Sequence, residues 1–228
     1  MKVAILIPTL GRPHALEPVL DSIKETTPDG QYLPIFVCDW HDHDTVSELH
    51  RLGAWWVFQD GTYPVKTNAG YRASNYPLVL PTADDVVFHH GWYEAALDAF
   101  QDPAVQVVGT RDLTPVTAEG QHSTMPIVRR SYIQHPGAVW GEPGKVFHEG
   151  YHHGWVETEL WQLACRRGVA RFVPESVIEH LHPDWGTRPR DATDDKGNVQ
   201  HKAEDYQLFE RRRSEWTRHV APAAAAAG

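Results

Sequence analysis

Apolar residues run without a break from Val3 to Ile7, and the run stops at Pro8-Thr9-Leu10-Gly11-Arg12-Pro13. A strand buried on both faces has this signature, and the Pro- and Gly-containing stretch after it predicts a loop. Ala15, Leu16, Val19, Leu20 and Ile23 then repeat at the three-to-four spacing of a helix with one buried stripe, closed by Pro28-Asp29-Gly30. Pro34 to Cys38 supplies a second apolar strand, which stops at the polar cluster Asp39-Trp40-His41-Asp42-His43-Asp44 and completes a βαβ unit. The rhythm continues with a helix from Thr45 to Leu52, a strand from Ala54 to Phe58, a helix from Thr67 to Ser74 and a strand from Tyr76 to Leu80. Further on, the pattern predicts a helix over Trp92 to Phe100, a strand over Val105 to Gly109, an amphipathic helix over Val156 to Arg167 and an extended segment over Phe172 to Ile178. Beyond about Pro183 the chain is rich in Pro, Gly, Asp and Lys, which predicts a loop, then a polar helix from Glu204 to His219.

Strands alternating with short helices predict an α/β fold, a mostly parallel sheet covered by helices on both faces. The expected organisation is one domain over 1–183, a C-terminal helical and loop extension over 184–220, and a disordered Ala/Pro tail over 221–228. In such sheets ligands bind beyond the carboxyl ends of the strands, which singles out the polar residues there. They are Thr9 to Arg12, Asp39, and Thr82-Ala83-Asp84-Asp85.

Adjacent carboxylates at Asp84 and Asp85 suit a hard divalent cation that completes its shell with substrate phosphates, although Asp-Asp pairs also cap helices. Glu157 and Glu159 open a predicted helix, where acidic residues complement the dipole; the functional reading makes one of them a general base. His180 and His182 follow an extended segment whose alternation points both rings to one side, where one could join a metal or both could be structural. Lys66 has the reach to approach a diphosphate, and Gly70 permits close backbone packing.

Composition narrows the partners. A net charge of -9 argues against general affinity for polyanions, leaving Arg188, Arg190 and the run Arg211-Arg212-Arg213 as local phosphate contacts, the run equally fitting a solvated helix face. No apolar stretch approaches the roughly 20 residues that cross a bilayer, and the first apolar run is too short for a signal peptide, so a cytoplasmic protein without a membrane partner is expected. Cys38 and Cys165 sit among apolar neighbours and read as reduced core thiols.

Together these pieces resemble the family-two glycosyltransferases of the GT-A (Rossmann-like) fold, particularly short phage-encoded members. The likeness covers about residues 3 to 185 and rests on the order and spacing of motifs. Ile5-Leu6-Ile7-Pro8-Thr9-Leu10-Gly11-Arg12-Pro13 is similar to the family's opening, and Leu20-Asp21-Ser22-Ile23 to its first-helix pattern. Asp39 stands where the family contacts the donor's base, Asn68-Ala69-Gly70 resembles its Asn-x-Gly, and Ala83-Asp84-Asp85-Val86 with Gly91-Trp92 its Asp-x-Asp region. Glu157-Thr158-Glu159-Leu160 and His180-Leu181-His182-Pro183 match its acidic and late histidine motifs. Three positions depart: Thr82-Ala83 replaces the first aspartate, Glu157 stands where Asp is commoner, and Trp40-His41 replaces Gly-Ser.

The resemblance implies inverting transfer of a sugar from a nucleoside-diphosphate sugar, most simply a UDP-sugar, to an acceptor hydroxyl. It places Mn2+ or Mg2+ on Asp84 and Asp85 with His180 or His182. It places the donor against Pro8, Thr9, Gly11, Arg12, Asp39, Lys66, Asn68, Gly70, Thr82, Ala83 and Asp84. Glu157 becomes the base, with Glu159 left open. The acceptor could be a hydroxylated base of phage DNA, a glycan or a small molecule. Two other classes compete: a degenerate nucleotide-sugar or carbohydrate-binding module, which the missing aspartate favours, and a nucleotidyltransferase, for which Gly11-Arg12-Pro13 is a poor phosphate loop.

Overall fold

Strand β1 (Val3–Pro8) is apolar throughout because both its faces are covered. Val3, Ile5 and Ile7 enter one core with helices α1 (Pro13–Thr26), α2 (His43–Leu52) and α4 (Trp92–Ala99). Ala4 and Leu6 enter a second core on the opposite face with α3 (Tyr63–Arg72), α5 (Arg130–Gln134), α6 (Val156–Arg166) and α8 (Lys202–His219). The period-two alternation of a strand therefore divides one hydrophobic run between two helical layers. The structure is a computed structural model, and it describes residues 1–117, 120–197 and 201–223. The Ala/Pro tail expected to be disordered lies largely outside the described residues.

Eight strands form one sheet in the order β3-β2-β1-β4-β7-β6-β8-β5. The other strands are β2 (Tyr32–Cys38), β3 (Trp56–Phe58), β4 (Leu78–Pro81), β5 (Val86–Phe88), β6 (Val107–Arg111), β7 (Ile127–Arg129) and β8 (Ala170–His180). The first half, β3-β2-β1-β4, is parallel. Strand β7 runs antiparallel to both β4 and β6, β8 runs parallel to β6, and β5 pairs antiparallel with β8. The expected α/β architecture is present. The short strands β5 and β7, three residues each, carry too little pattern to announce themselves.

The strand order reverses beside β1, where β2 lies on one side and β4 on the other. The crevice beyond the carboxyl ends of β1 and β4 is thus the topological switch point of the sheet, and it is lined by the loops after Pro8 and after Pro81. Antiparallel pairing of Val86 with His180 returns the end of β8 to the same edge. Helix α8 closes the opposite side of α6: Phe209 joins the second core, and Asp205 accepts backbone N–H bonds from His152, His153 and Gly154 at 2.8–2.9 Å. Segment 183–197, expected to be loop, contains a 3-10 turn at Pro183–Trp185 and the short helix α7 (Ala192–Gly197).

Cys38 is buried as expected, whereas Cys165 is exposed. The reading of Cys165 as a core thiol fails because α6 turns that position outward while Leu163 and Ala164 beside it are fully buried.

Candidate active site

Asp84 and Asp85 leave β4 at the switch point, and both are buried. Thr9 Oγ1, at the end of β1, donates to Asp84 Oδ2 at 2.7 Å, joining the two strand-end loops across the crevice. Arg12 NH1 donates to Asp84 Oδ1 at 3.0 Å and to Asp85 Oδ2 at 3.1 Å. Arg188 NH2, from the segment before α7, donates to the same Asp85 oxygen at 2.9 Å. His180 Nε2 stands 3.4 Å from Asp85 Oδ1, and Leu181 N donates to the Asp85 carbonyl at 2.8 Å. Asp191 and Asp194 complete the cluster, each paired with both arginines.

Four carboxylates thus face two guanidiniums. Burial, then the charge of Asp85, pushes Asp84 up to about 6. Burial opposes the charge on Asp85 as well, but the hydrogen bond from His180, with Arg12 and Arg188, outweighs it and holds that carboxyl well below the usual range. His180 responds in kind: burial favours the neutral ring, and the Asp85 carboxylate prevails and raises it. Two buried carboxylates plus an imidazole, gathered at a ligand-binding edge, form a donor set of the kind that fits Mn2+ or Mg2+, for which the guanidiniums of Arg12 and Arg188 compete. The residues that would hold it are Asp84, Asp85 and His180.

Behind this pair, Lys66 Nζ donates to the Thr9 carbonyl at 3.1 Å and lies 3.0 Å from Asp39 Oδ1. The lysine ties the ends of β1 and β2 together. Gly11 has φ +63, a left-handed conformation that glycine adopts at least cost, and its N–H donates to Asp42 Oδ2 at 2.6 Å. Thr82 is buried with its Oγ1 on Met125 Sδ at 3.2 Å; Pro8 pairs with Val37 in the sheet, and Ala83 lies between Thr82 and the acidic pair.

Glu157 stands in the first turn of α6, after Trp155, whose φ of +70 marks a tight entry into the helix. Its carboxyl is pushed up to about 7 by burial, against the opposing pull of its own backbone N–H and of the nearby His180. An acid poised near neutrality has the proton affinity that a general base needs.

Four expected site residues do other work. Glu159 is buried on Arg212, whose Nε donates to it at 2.8 Å, and it accepts from Tyr151 OH at 2.7 Å. Residues two apart on a helix do not share a face, so Glu157 and Glu159 cannot serve one site. Asn68 makes four hydrogen bonds, to the backbone of Val146 and Phe147 and to Glu149, and so clasps the 146–149 loop rather than facing a donor. Gly70 packs α3 onto the sheet: an added Cβ would meet Val37 Cγ2 at 3.1 Å and Leu6 Cδ2 at 3.3 Å. His182 Nδ1 accepts from Asp184 N at 3.2 Å, capping the turn there, while its ring lies against that of His180 with centroids 5.3 Å apart, on the one side the alternation predicts.

Four of the five arginines expected to meet external phosphates are paired within the chain, and the fifth, Arg211, is exposed on α8. Arg188 holds Asp85 and Asp194, Arg190 holds Asp184, Arg212 holds Glu159 and Arg213 holds Glu210. Sequence reasoning missed Asp191 and Asp194, whose spacing in a loop-like segment gives no sign that they return to Arg12. Beside His180 a cleft of about 220 Å3 is lined by Leu113, Thr114, Glu179, Trp185 and Thr187, with Leu113 strained at φ +64. A hollow of about 540 Å3 between the end of α1 and the start of α4 shares no residue with the site. No helix among the described residues is long and apolar enough to cross a membrane.

No protein-family model matches the chain, and no curated protein sequence matches it. Solved structures match its fold. Glucosyl-3-phosphoglycerate synthase from Mycobacterium tuberculosis, in complex with Mn2+, UDP-glucose and phosphoglyceric acid, superposes with a TM-score of 0.66 at 14% identity over 99% of this chain and 88% of its own. A mannosyltransferase from Pyrobaculum calidifontis, in complex with GDP-mannose and Mn2+, gives 0.63 at 16% identity over 96% and 70%. The TarS protein of S. aureus, in complex with UDP, gives 0.57 at 12% identity over 78% and 59%. The fold is that of the GT-A glycosyltransferases.

Proposed function

We propose that the chain is a metal-dependent glycosyltransferase that moves a hexosyl group, with inversion, from a nucleoside-diphosphate sugar to an acceptor hydroxyl. The observation that carries this reading is the buried Asp84–Asp85 pair at the switch point, with His180 on one side and the raised Glu157 carboxyl nearby. The fold neighbours crystallised with Mn2+ and a UDP- or GDP-sugar support it.

When bound, the divalent cation would neutralise charge that develops on the departing diphosphate. The chain supplies the rest. Asp84, Asp85 and His180 hold the cation. Asp39, kept in place by Lys66, offers its carboxylate to the donor's base, for which uracil is the first choice to test. The backbone turn at Gly11 lets the β1 loop approach the donor closely. Glu157 takes the proton of the acceptor hydroxyl as that oxygen attacks the anomeric carbon, and the cleft beside His180 gives the acceptor room. DNA is the least supported acceptor, since four of the five arginines that would meet its phosphates are paired with carboxylates of the chain.

Incubation with a panel of UDP- and GDP-sugars and Mn2+ should release nucleoside diphosphate from at least one donor, and EDTA should stop the release. Binding of nucleoside diphosphate with no release from any donor, across glycan, small-molecule and hydroxymethylated-oligonucleotide acceptors, would replace this reading by the non-catalytic binding module.

A further inference from the structure

Away from the switch point, where α8 begins, two imidazoles and a carboxylate meet. His201 is the residue before α8, Glu204 lies in its first turn, and His152 belongs to the loop that leads into α6. His201 Nδ1 is 2.9 Å from Glu204 Oε2, and His152 Nε2 is 3.5 Å from the same oxygen. One donor atom from each of the three residues lies within 4.8 Å of the other two. The imidazole rings are stacked, with centroids 3.8 Å apart and planes at 13°. The α8 cluster shares no residue with the Asp84–Asp85 site.

We infer that His152, His201 and Glu204 form a second metal site, selective for Zn2+ or a similar imidazole-seeking transition metal. Ligand type decides the metal. Two neutral nitrogens and one carboxylate suit Zn2+, Co2+ or Ni2+, whereas the all-carboxylate pair at the switch point with a single imidazole suits harder cations. Three protein ligands leave a fourth tetrahedral position for water. Zn–N bonds of about 2.0–2.1 Å in a tetrahedron set donor separations of roughly 3.3 Å, so the observed spread must shrink by up to about 1.5 Å. Both ring nitrogens already face one oxygen, and the shrinkage is a turn of the stacked rings away from parallel, open to them because all three side chains are partly exposed.

The surrounding backbone is already set for such a clasp. Asp205, next to Glu204 and buried, accepts the backbone N–H groups of His152, His153 and Gly154, which fixes the loop against the start of α8 before any metal arrives. The His152 carbonyl accepts from Tyr63 N at 3.3 Å, tying the same loop to α3. Ligands on rigidly apposed segments lose less entropy on binding. A metal here would pin α8 to the loop that delivers Glu157, and so act on the stability of the site's wall without touching reactants.

Untagged full-length chain should bind one equivalent of Zn2+ in calorimetric titration, and Co2+ in its place should give the visible absorption of a tetrahedral centre. His201→Ala and His152→Ala should each weaken Zn2+ binding at least tenfold and lose the rise in melting temperature that Zn2+ gives the wild type, while Asp85→Asn keeps both. Circular dichroism of the exposed-histidine variants verifies that they fold. Absence of a stoichiometric Zn2+ site in the wild type, or affinity unchanged in both histidine variants, overturns the inference. Loss of the Zn2+ equivalent in Asp85→Asn with retention in His201→Ala also overturns it, by assigning the ion to the switch-point carboxylates.

Discussion

Replacing Glu157 by Gln separates the chemistry of this residue from its energetic cost. Burial raises its carboxyl from 4.5 to about 7, so the folded protein binds the proton more tightly than the unfolded chain does. For a group raised in this way, the stabilisation is complete below the unfolded value and is lost as pH climbs through the folded one. The full interval corresponds to about 3 kcal/mol at pH 8.5, and because the carboxyl keeps partial contact with solvent, about 1–3 kcal/mol is expected. At pH 5 the same linkage leaves roughly a quarter of that. Gln carries no charge to desolvate, so Glu157→Gln should melt several degrees above wild type at pH 8.5, at about 2–4 °C per kcal/mol for a chain of this size, and only slightly above it at pH 5. Donor binding with Mn2+, read by calorimetry, should persist, while turnover falls at least about a hundredfold for loss of a general base. In the wild type, kcat/KM should rise with pH through about 7 and then level. Wild-type turnover in Glu157→Gln would remove Glu157 from the role of base. A melting gain equal at both pH values would refute burial as the source of the raised carboxyl.

Asp85→Asn should abolish Mn2+-dependent nucleotide binding, measured by thermal shift with and without the ion, since Asp85 accepts the bonds from Arg12, Arg188 and His180. Arg188→Ala should tighten binding of Mn2+ alone several-fold in calorimetric titration, because it removes a cation 2.9 Å from Asp85; unchanged affinity would mean the guanidinium does not compete with the ion. Asn68→Ala should cost about 2–4 kcal/mol in denaturant unfolding by stranding two buried backbone N–H groups, yet leave nucleotide affinity within about twofold. Arg212→Ala should cost about 3–5 kcal/mol, because it leaves Glu159 charged and buried with Tyr151 OH the one hydrogen-bond donor left to it among the described residues.

Periodicity alone located the elements that build the switch point. The uninterrupted run at Val3 to Ile7, stopped by Pro8 and Gly11, reads as a doubly covered strand, the stripe from Leu16 to Ile23 as a helix packed on it, and their alternation placed Thr9, Asp39 and Asp84–Asp85 at one sheet edge. Local pattern suffices there because burial on one stripe or two faces is written into neighbouring residues. Helical geometry alone separates Glu157 from Glu159, but only the long-range bond of Glu159 to Arg212 shows which of the two is engaged elsewhere.

Long-range pairing is a different matter. That Arg12 meets Asp191 and Asp194 nearly two hundred residues away, that Asn68 turns to the 146–149 loop, and that His201 arrives beside His152 depend on how α8 and the segment before it fold back. A charged or polar residue has no periodic signature naming its partner, since Coulomb attraction and hydrogen bonding act on whatever the fold brings within reach. The sequence by itself determined the parallel half of the sheet, its helical layers and the acidic edge; only the tertiary structure decided which partner each polar side chain there meets, because those partners lie far away along the chain.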